Sequence, residues 1–447
     1  MADGVGSVHQ KETMPLAHGQ RGRKSLASAA GFLVMLCMAA SAAAQPLTIP
    51  RFDFSFSNPG ARSLGFGGAF AALADDATAA YANPAGLVQL TEPEVSLEAR
   101  RWDRSPSFIA GGRADGTPTG IGLDTHEGLL FGRDHSEDFG PSFASVVVPK
   151  GRWSFALFGQ QLARFEVAAE SQGFFFEGDP LSIPPGPRFW ASREAVDLEV
   201  VTAGLAAGWR MSDQLSFGLG IVVSDASLET TSEAFLPDDD SEESQYGEIS
   251  FLPERRISRD ALSASGTDVT VNLGMLGRIS EQLSVGLFYR QGAEVEGTID
   301  VELGPAPLFP GFPPIIDEFQ GNAVFQVPSV AGGGLAWRSR DGRATLTSEI
   351  DHVGYEGLVQ VEEGESVGYL DAWEYHAGAE YALLRTTPII AFRAGSWIEA
   401  FGDDFENESL THWSLGVGIA ARSYQIDVAA DFSDEVDTTS LSFIYNF

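Results

Sequence analysis

Apolar and polar residues alternate one for one through most of the chain. Leu215, Phe217, Leu219, Ile221 and Val223 interleave with Ser216, Gly218, Gly220, Val222 and Ser224, a period of two that sends one set to each face of an extended strand. The arrangement recurs. Val269, Val271, Leu273 and Met275 stand against Asp268, Thr270, Asn272 and Gly274, and Trp373, Tyr375, Ala377, Ala379 and Tyr381 against Glu374, His376, Gly378 and Glu380. After residue 44 no apolar run approaches the roughly 20 residues of a membrane helix. The pattern predicts an all-β chain.

The connections separate a membrane barrel from a soluble sandwich, because they alternate in length. Tight turns are predicted at 149–152, 211–214, 279–282, 340–343, 384–388 and 421–424, and longer links lie between them. Short turns at one end and long loops at the other mark a transmembrane antiparallel β-barrel, which closes so that no strand edge faces lipid. About 14 segments are predicted, the even number that such barrels use. Trp153, Trp209 and Trp337 sit beside short turns, where an aromatic belt would meet the inner interface. The chain stops on LSFIYNF, which places Phe443, Tyr445 and Phe447 on one face and resembles the assembly signal of bacterial outer-membrane barrels.

Residues 1–44 read as a signal peptide: Arg21, Arg23 and Lys24 precede an apolar core that ends in small residues. Cleavage after Ala44 is expected, and Met14 is an alternative initiator. The one cysteine, Cys37, falls inside this core behind Leu36, so neither a lipid anchor nor a disulfide framework is expected. The balance of 28 Lys+Arg against 62 Asp+Glu, a net charge of −34, argues against a nucleic-acid partner.

Residues 45–91 precede the first strand, and the barrel is assigned to 92–447. The stretch from Gly60 to Leu87 lacks alternation and is rich in small residues, which suits a segment folded inside a lumen. Gly65, Gly67 and Gly68 permit close backbone approach, Asp75 or Asp76 can cap a short helix through Tyr81, and Asn83 with Pro84 can cap and start another turn. This stretch, GARSLGFGGAFAALADDATAAYANPAGL, resembles the N-terminal signature of the FadL family of outer-membrane transporters for long-chain fatty acids and other hydrophobic compounds, and Asn83-Pro84-Ala85 matches that family's NPA motif. The resemblance implies a Gram-negative outer-membrane barrel closed by an N-terminal hatch. It further implies a hydrophobic ligand, most simply a long-chain fatty acid, captured by external loops, bound in the lumen and released sideways through a kinked early strand after the hatch shifts.

Three groups of residues fit those parts. Phe174, Phe175 and Phe176, with Leu308, Phe309 and Phe312, put apolar surface on external loops, as a capture site needs; packing against one another over the barrel mouth is the alternative. Gly159, Gln160 and Gln161 interrupt the apolar face of their strand, as a bulge or lateral opening would, or as a local irregularity. Arg290 and Arg393 stand on an otherwise acidic inner face and could pair a carboxylate headgroup, or the luminal acids themselves.

No catalytic role is expected: Gly65-Phe66-Gly67-Gly68 lacks the strand and βαβ context of a nucleotide loop. The His126 and His135 region, 124–138, and the acidic run 238–248 match no metal-site spacing, so no cofactor or metal is assigned. The partners expected are a hydrophobic small molecule, outer-membrane lipid and lipopolysaccharide, and the barrel assembly machinery. A non-conducting barrel that anchors or secretes a surface protein is the competing reading.

Overall fold

A computed structural model describes residues 58–177, 187–306, 313, 316–361, 365–366, 371–400 and 409–447. The expected signal peptide and residues 45–57 lie outside that set, as do Leu308, Phe309 and Phe312. No described helix is long and apolar enough to cross a membrane; the strands do the spanning.

In chain order the strands are β1 (Glu94–Arg104), β2 (Ser107–Arg113), β3 (Gly128–Arg133), β4 (Ser136–Lys150), β5 (Trp153–Ser171), β6 (Ala191–Arg210), β7 (Leu215–Phe235), β8 (Arg256–Arg278), β9 (Leu283–Arg290), β10 (Glu294–Leu303), β11 (Asp317–Gln326), β12 (Ser329–Arg338), β13 (Ala344–Gly354), β14 (Val359–Val361), β15 (Glu365–Ser366), β16 (Ala372–Leu383), β17 (Ile389–Ala400), β18 (Ser409–Ala420), β19 (Tyr424–Phe432) and β20 (Val436–Asn446). All but the β2–β3 hairpin join one sheet. The last strand pairs antiparallel with the first, Val95 facing Tyr445 and Arg100 facing Ser440, so the sheet closes on itself. β9 continues into β10 and β11 into β12 across short breaks at 291–293 and 327–328, and β14 with β15 forms a ribbon in the connection from β13 to β16. The described strands therefore make a barrel of 14.

Alternation and closure have the same cause. Leu205, Leu219, Leu273 and Leu415 are exposed on the outer wall, whereas Glu98, Arg100, Thr202, Thr270 and Asp427 are buried on the inner one. In water the outer face would be a large exposed apolar patch; facing lipid it is the stable arrangement, and closure leaves no backbone edge unpaired. The six tight turns join the strands where the alternation ends, and beside them Trp153 stacks on Trp209 with ring centroids 5.9 Å apart. Phe443, Tyr445 and Phe447 are exposed at the end of β20 and just beyond it.

Candidate functional site

The chain from Asn58 to Leu90 lies against the inner faces of the barrel strands and is almost wholly buried. It makes a short helix, Ala61–Gly65, a second, Ala79–Ala82, and a 3-10 turn, Pro84–Gln89. Gly67 (φ 65°) and Gly68 (φ 83°) hold left-handed backbone in succession, which any L side chain would resist. The Asp76 side chain accepts the Thr78 N–H at 3.0 Å just ahead of the second helix. Asn83 caps the 3-10 turn, its Oδ1 accepting the Ala85 N–H at 3.2 Å, with Pro84 at the first position of the turn. Its Nδ2 donates to the carbonyls of Ala71 at 2.9 Å and Met275 at 3.2 Å. One side chain thus ties two parts of the plug to the wall.

The wall is shaped to receive the plug. A Cβ on Gly218 would fall 2.2 Å from the Ala85 nitrogen, and one on Gly274 would fall 2.2 Å from Asn83 Oδ1. Serines supply the hydrogen bonds: Ser145, Ser216 and Ser284 donate to the carbonyls of Ala77, Ala85 and Ala72 at 2.8–2.9 Å. Charges fasten the edges. Glu98 accepts the Gly60 N–H at 3.0 Å, and Asp75 lies between Arg62 (2.5 Å) and Arg338 (3.0 Å). Burial pushes the Asp75 carboxyl up, but the two guanidiniums outweigh it and hold the group at about 2. Burial dominates at Asp76, which is raised.

Both arginines of the inner face are engaged. Arg393 pairs with Glu380 at 2.8 Å and with Asp427 at 2.6 Å. Arg290 hydrogen-bonds Asn58 and donates to the Ala82 carbonyl at 3.1 Å, and its guanidinium lies over the rings of Tyr81 and Phe288. These residues hold the plug and the wall together.

The wall itself is interrupted between β4 and β5. Their ladder runs from Lys150 and Trp153 to Phe143 and Gln160 and stops there, although β4 reaches back to Ser136 and β5 on to Ser171. Each strand carries an extra residue at this level. In β4, Glu98 faces Phe143 and Ala99 faces Pro141, leaving Ser142 over. In β5, Gln161 faces Val201 and Ala163 faces Val200, leaving Leu162 over. The second bulge reverses the phase of the strand: Trp153, Phe155 and Leu157 point outward before it, Arg164 and Glu166 after it, and Leu162 and Ala163 are both buried. Pro141 has no N–H to offer a neighbour, and it sits just where β4 loses its second partner. Across the interruption Arg164 reaches Asp138 at 3.9 Å and the Ala168 N–H donates to Asp134 at 3.0 Å. Gly159 and Gln160 belong to the last paired stretch, and Gln161 is the residue before the bulge. Behind the bulge, a small pocket is lined by Leu162, Tyr81 of the plug, Val222, Arg290 and Val330.

The phenylalanines of the connection from β5 to β6 are split in role. Phe175 is fully buried, stacked on Tyr246 at 5.5 Å beneath the Arg188 guanidinium at 5.1 Å. Phe174 stacks on Phe189 at 5.0 Å, and it and Phe176 are half-buried. The β2–β3 hairpin completes this cover, fixed by a two-pronged pairing of Arg113 with Asp124 at 2.6 and 2.8 Å.

No protein-family model matches the chain, and no curated protein matches it. Solved structures do. A Pseudomonas aeruginosa FadL homologue superimposes with a TM-score of 0.60 over 90% of this chain and 99% of its own, at 15% identity. The Pseudomonas putida toluene transporter TodX matches with a TM-score of 0.56 over 89% of this chain and 100% of its own, at 16% identity. The monoaromatic hydrocarbon channel CymD matches with a TM-score of 0.53 over 88% and 99%, also at 16% identity. The barrel fold and its strand number are shared with these proteins.

Proposed function

We propose that this chain is an outer-membrane channel for hydrophobic molecules, in which the N-terminal segment acts as a hatch and the interruption between β4 and β5 is the route sideways into the membrane. The observation that carries the reading is the interruption itself. A plug seated by glycines, serines and ion pairs fills the lumen beside the wall, while two bulges open the ladder at the height of a small luminal pocket. An apolar solute leaving sideways passes from cavity to lipid without crossing water, which is the direction the hydrophobic effect favours. The likeness in fold to the toluene transporter, the monoaromatic hydrocarbon channel and the FadL homologue supports this reading. Transport, and not catalysis, is the activity proposed.

The arginines bear on the substrate class. A fatty acid needs a partner for its carboxylate, and Arg290 and Arg393 are both spent on the plug and the wall. That favours a neutral hydrocarbon over a long-chain fatty acid, with half-buried Phe174 and Phe176 as the apolar surface it would meet first.

The test is equilibrium binding by the refolded barrel in detergent, with toluene and a long-chain fatty acid as probes and heat-modifiable gel migration as the check of folding. Saturable binding of toluene that Phe174→Ala or a bulky Val222→Trp weakens supports the reading. Tighter binding of the fatty acid, lost in Arg290→Gln, restores the fatty-acid class. Neither probe binding a folded barrel favours the surface-protein anchor or secretion partner.

A further inference from the structure

Four titratable side chains on two neighbouring strands converge where the wall meets the plug. β13 and β16 pair with Glu349 facing His376 and Asp351 facing Glu374, and all four side chains are buried on the inner face. Glu349 is committed to the plug, its Oε2 accepting the Ala71 N–H at 2.7 Å and its Oε1 an amide hydrogen of Asn58 at 3.4 Å. The other three are arranged differently. His376 Nδ1 lies 2.7 Å from the Gly67 carbonyl oxygen. A carbonyl only accepts, so Nδ1 carries the hydrogen. In the neutral ring Nε2 is then a lone pair, and it faces Glu374 Oε2 at 3.2 Å and Asp351 Oδ2 at 3.8 Å. Asp351 is 6% exposed, and its buried Oδ1 has no hydrogen-bond partner among the described residues.

We infer that Asp351, Glu374 and His376 form a binding site for a divalent transition-metal ion, which fastens the wall to the plug through the His376–Gly67 hydrogen bond. One lone pair and two carboxylates facing one another in a buried place repel unless a proton or a metal cation lies between them, and a metal engages all three at once. The three ligand atoms fall within 4.8 Å of one another. Ligands about 2.0–2.1 Å from a tetrahedral centre are roughly 3.3–3.4 Å apart, close to the spacings from Nε2. An imidazole with two carboxylates suits zinc and its neighbours better than calcium or magnesium. Donation of the second ring N–H to a backbone carbonyl is the usual way in which a metal-bound histidine is oriented, and here that carbonyl belongs to the plug. A second group, Asp103, His135 and Glu137, is exposed at the outer rim, and there the Arg101 guanidinium already supplies the cation, 2.7 Å from Glu137 and 3.4 Å from Asp103. The metal site stands independently of what the barrel transports.

Zn²⁺ titration of the untagged barrel, refolded in metal-free detergent, tests it. One equivalent of Zn²⁺ should bind, Co²⁺ in its place should show the visible bands of a low-coordinate site, and Asp351→Asn or Glu374→Gln should weaken Zn²⁺ roughly tenfold or more. Asp103→Asn should leave binding unchanged. Heat-modifiable migration establishes which variants fold, and either of the two inner variants suffices. A folded wild-type barrel that binds no Zn²⁺, or binds it equally well in both inner variants, overturns the inference and leaves His376 a doubly protonated partner of Glu374.

Discussion

Phe143 of β4 and Gln160 of β5 are the last facing pair of their ladder. Beyond them each strand keeps one neighbour and loses the other, so a closed barrel acquires a local edge that closure normally abolishes. Ser142 and Leu162 are the extra residues at this point, and the Leu162 bulge sets the phase of β5 beyond it.

Deleting Leu162 should therefore close the wall. Gln161 points outward and Arg164 also points outward, with two inward residues between them; removing one restores strict alternation and lets β5 continue beside β4. Solute uptake into cells or liposomes should fall severalfold while heat-modifiable migration is kept. Unchanged uptake would mean that the bulge shapes the wall without serving passage.

Asn83→Ala should loosen the plug without unfolding the barrel. The substitution removes the cap on Ala85 and both bonds from Nδ2, and it leaves the buried carbonyls of Ala71 and Met275 without that donor. A loss of about 1–3 kcal/mol of local stability is expected, read as faster hydrogen exchange confined to residues 71–90.

Gly218→Ala and Gly274→Ala test the seat from the other side. Each added methyl would lie 2.2 Å from plug atoms, so the plug must shift or leave. Larger single-channel conductance, or greater permeability of cells to bulky hydrophilic antibiotics, is the expected result for both.

Much of the fold was legible because a membrane barrel writes its geometry into the chain. The residues that alternate at 215–224 and 373–381, and the six tight turns, are the outer wall and the inner ends of the strands. Asn83 and Pro84 were legible as a cap since that chemistry is local. What depends on register was not. Gly218 and Gly274 read as strand glycines, and only the plug lying 2.2 Å from their missing Cβ atoms explains them. The bulge falls at Leu162, one residue past Gln161, where an aliphatic side chain gives no sign that it is supernumerary. Glu349, Asp351, Glu374 and His376 are legible as inward-facing, but their meeting requires β13 and β16 to pair in this register. For Arg290 and Arg393 the sequence left both a headgroup and the luminal acids as partners, because Asn58, Glu380 and Asp427 are distant along the chain or on neighbouring strands.

Acid should release the Asp75 fastening of the plug. Asp75 sits at about 2, below its ordinary 3.8, so its contribution is complete above about pH 4 and is lost as the pH falls toward 2. The difference corresponds to about 2 kcal/mol. Asp76, raised by burial and by Asp75 beside it, changes in the opposite sense. Comparing protease nicking of the plug in wild type and Asp75→Asn between pH 5 and 2, on the order of that window, isolates the Asp75 part: wild type should approach the variant as the pH falls. Parallel curves would remove the role given to Asp75.

The most direct measurement is toluene uptake by liposomes containing Gly140→Cys/Gln161→Cys, before and after a short thiol cross-linker joins the two strands across the interruption. The only native cysteine, Cys37, lies within the expected signal peptide, so the engineered pair is the sole target in the processed barrel. Uptake that falls on cross-linking and returns on reduction of a cleavable linker is the result predicted for sideways release between β4 and β5. Uptake that proceeds undiminished through a fully cross-linked barrel would contradict it.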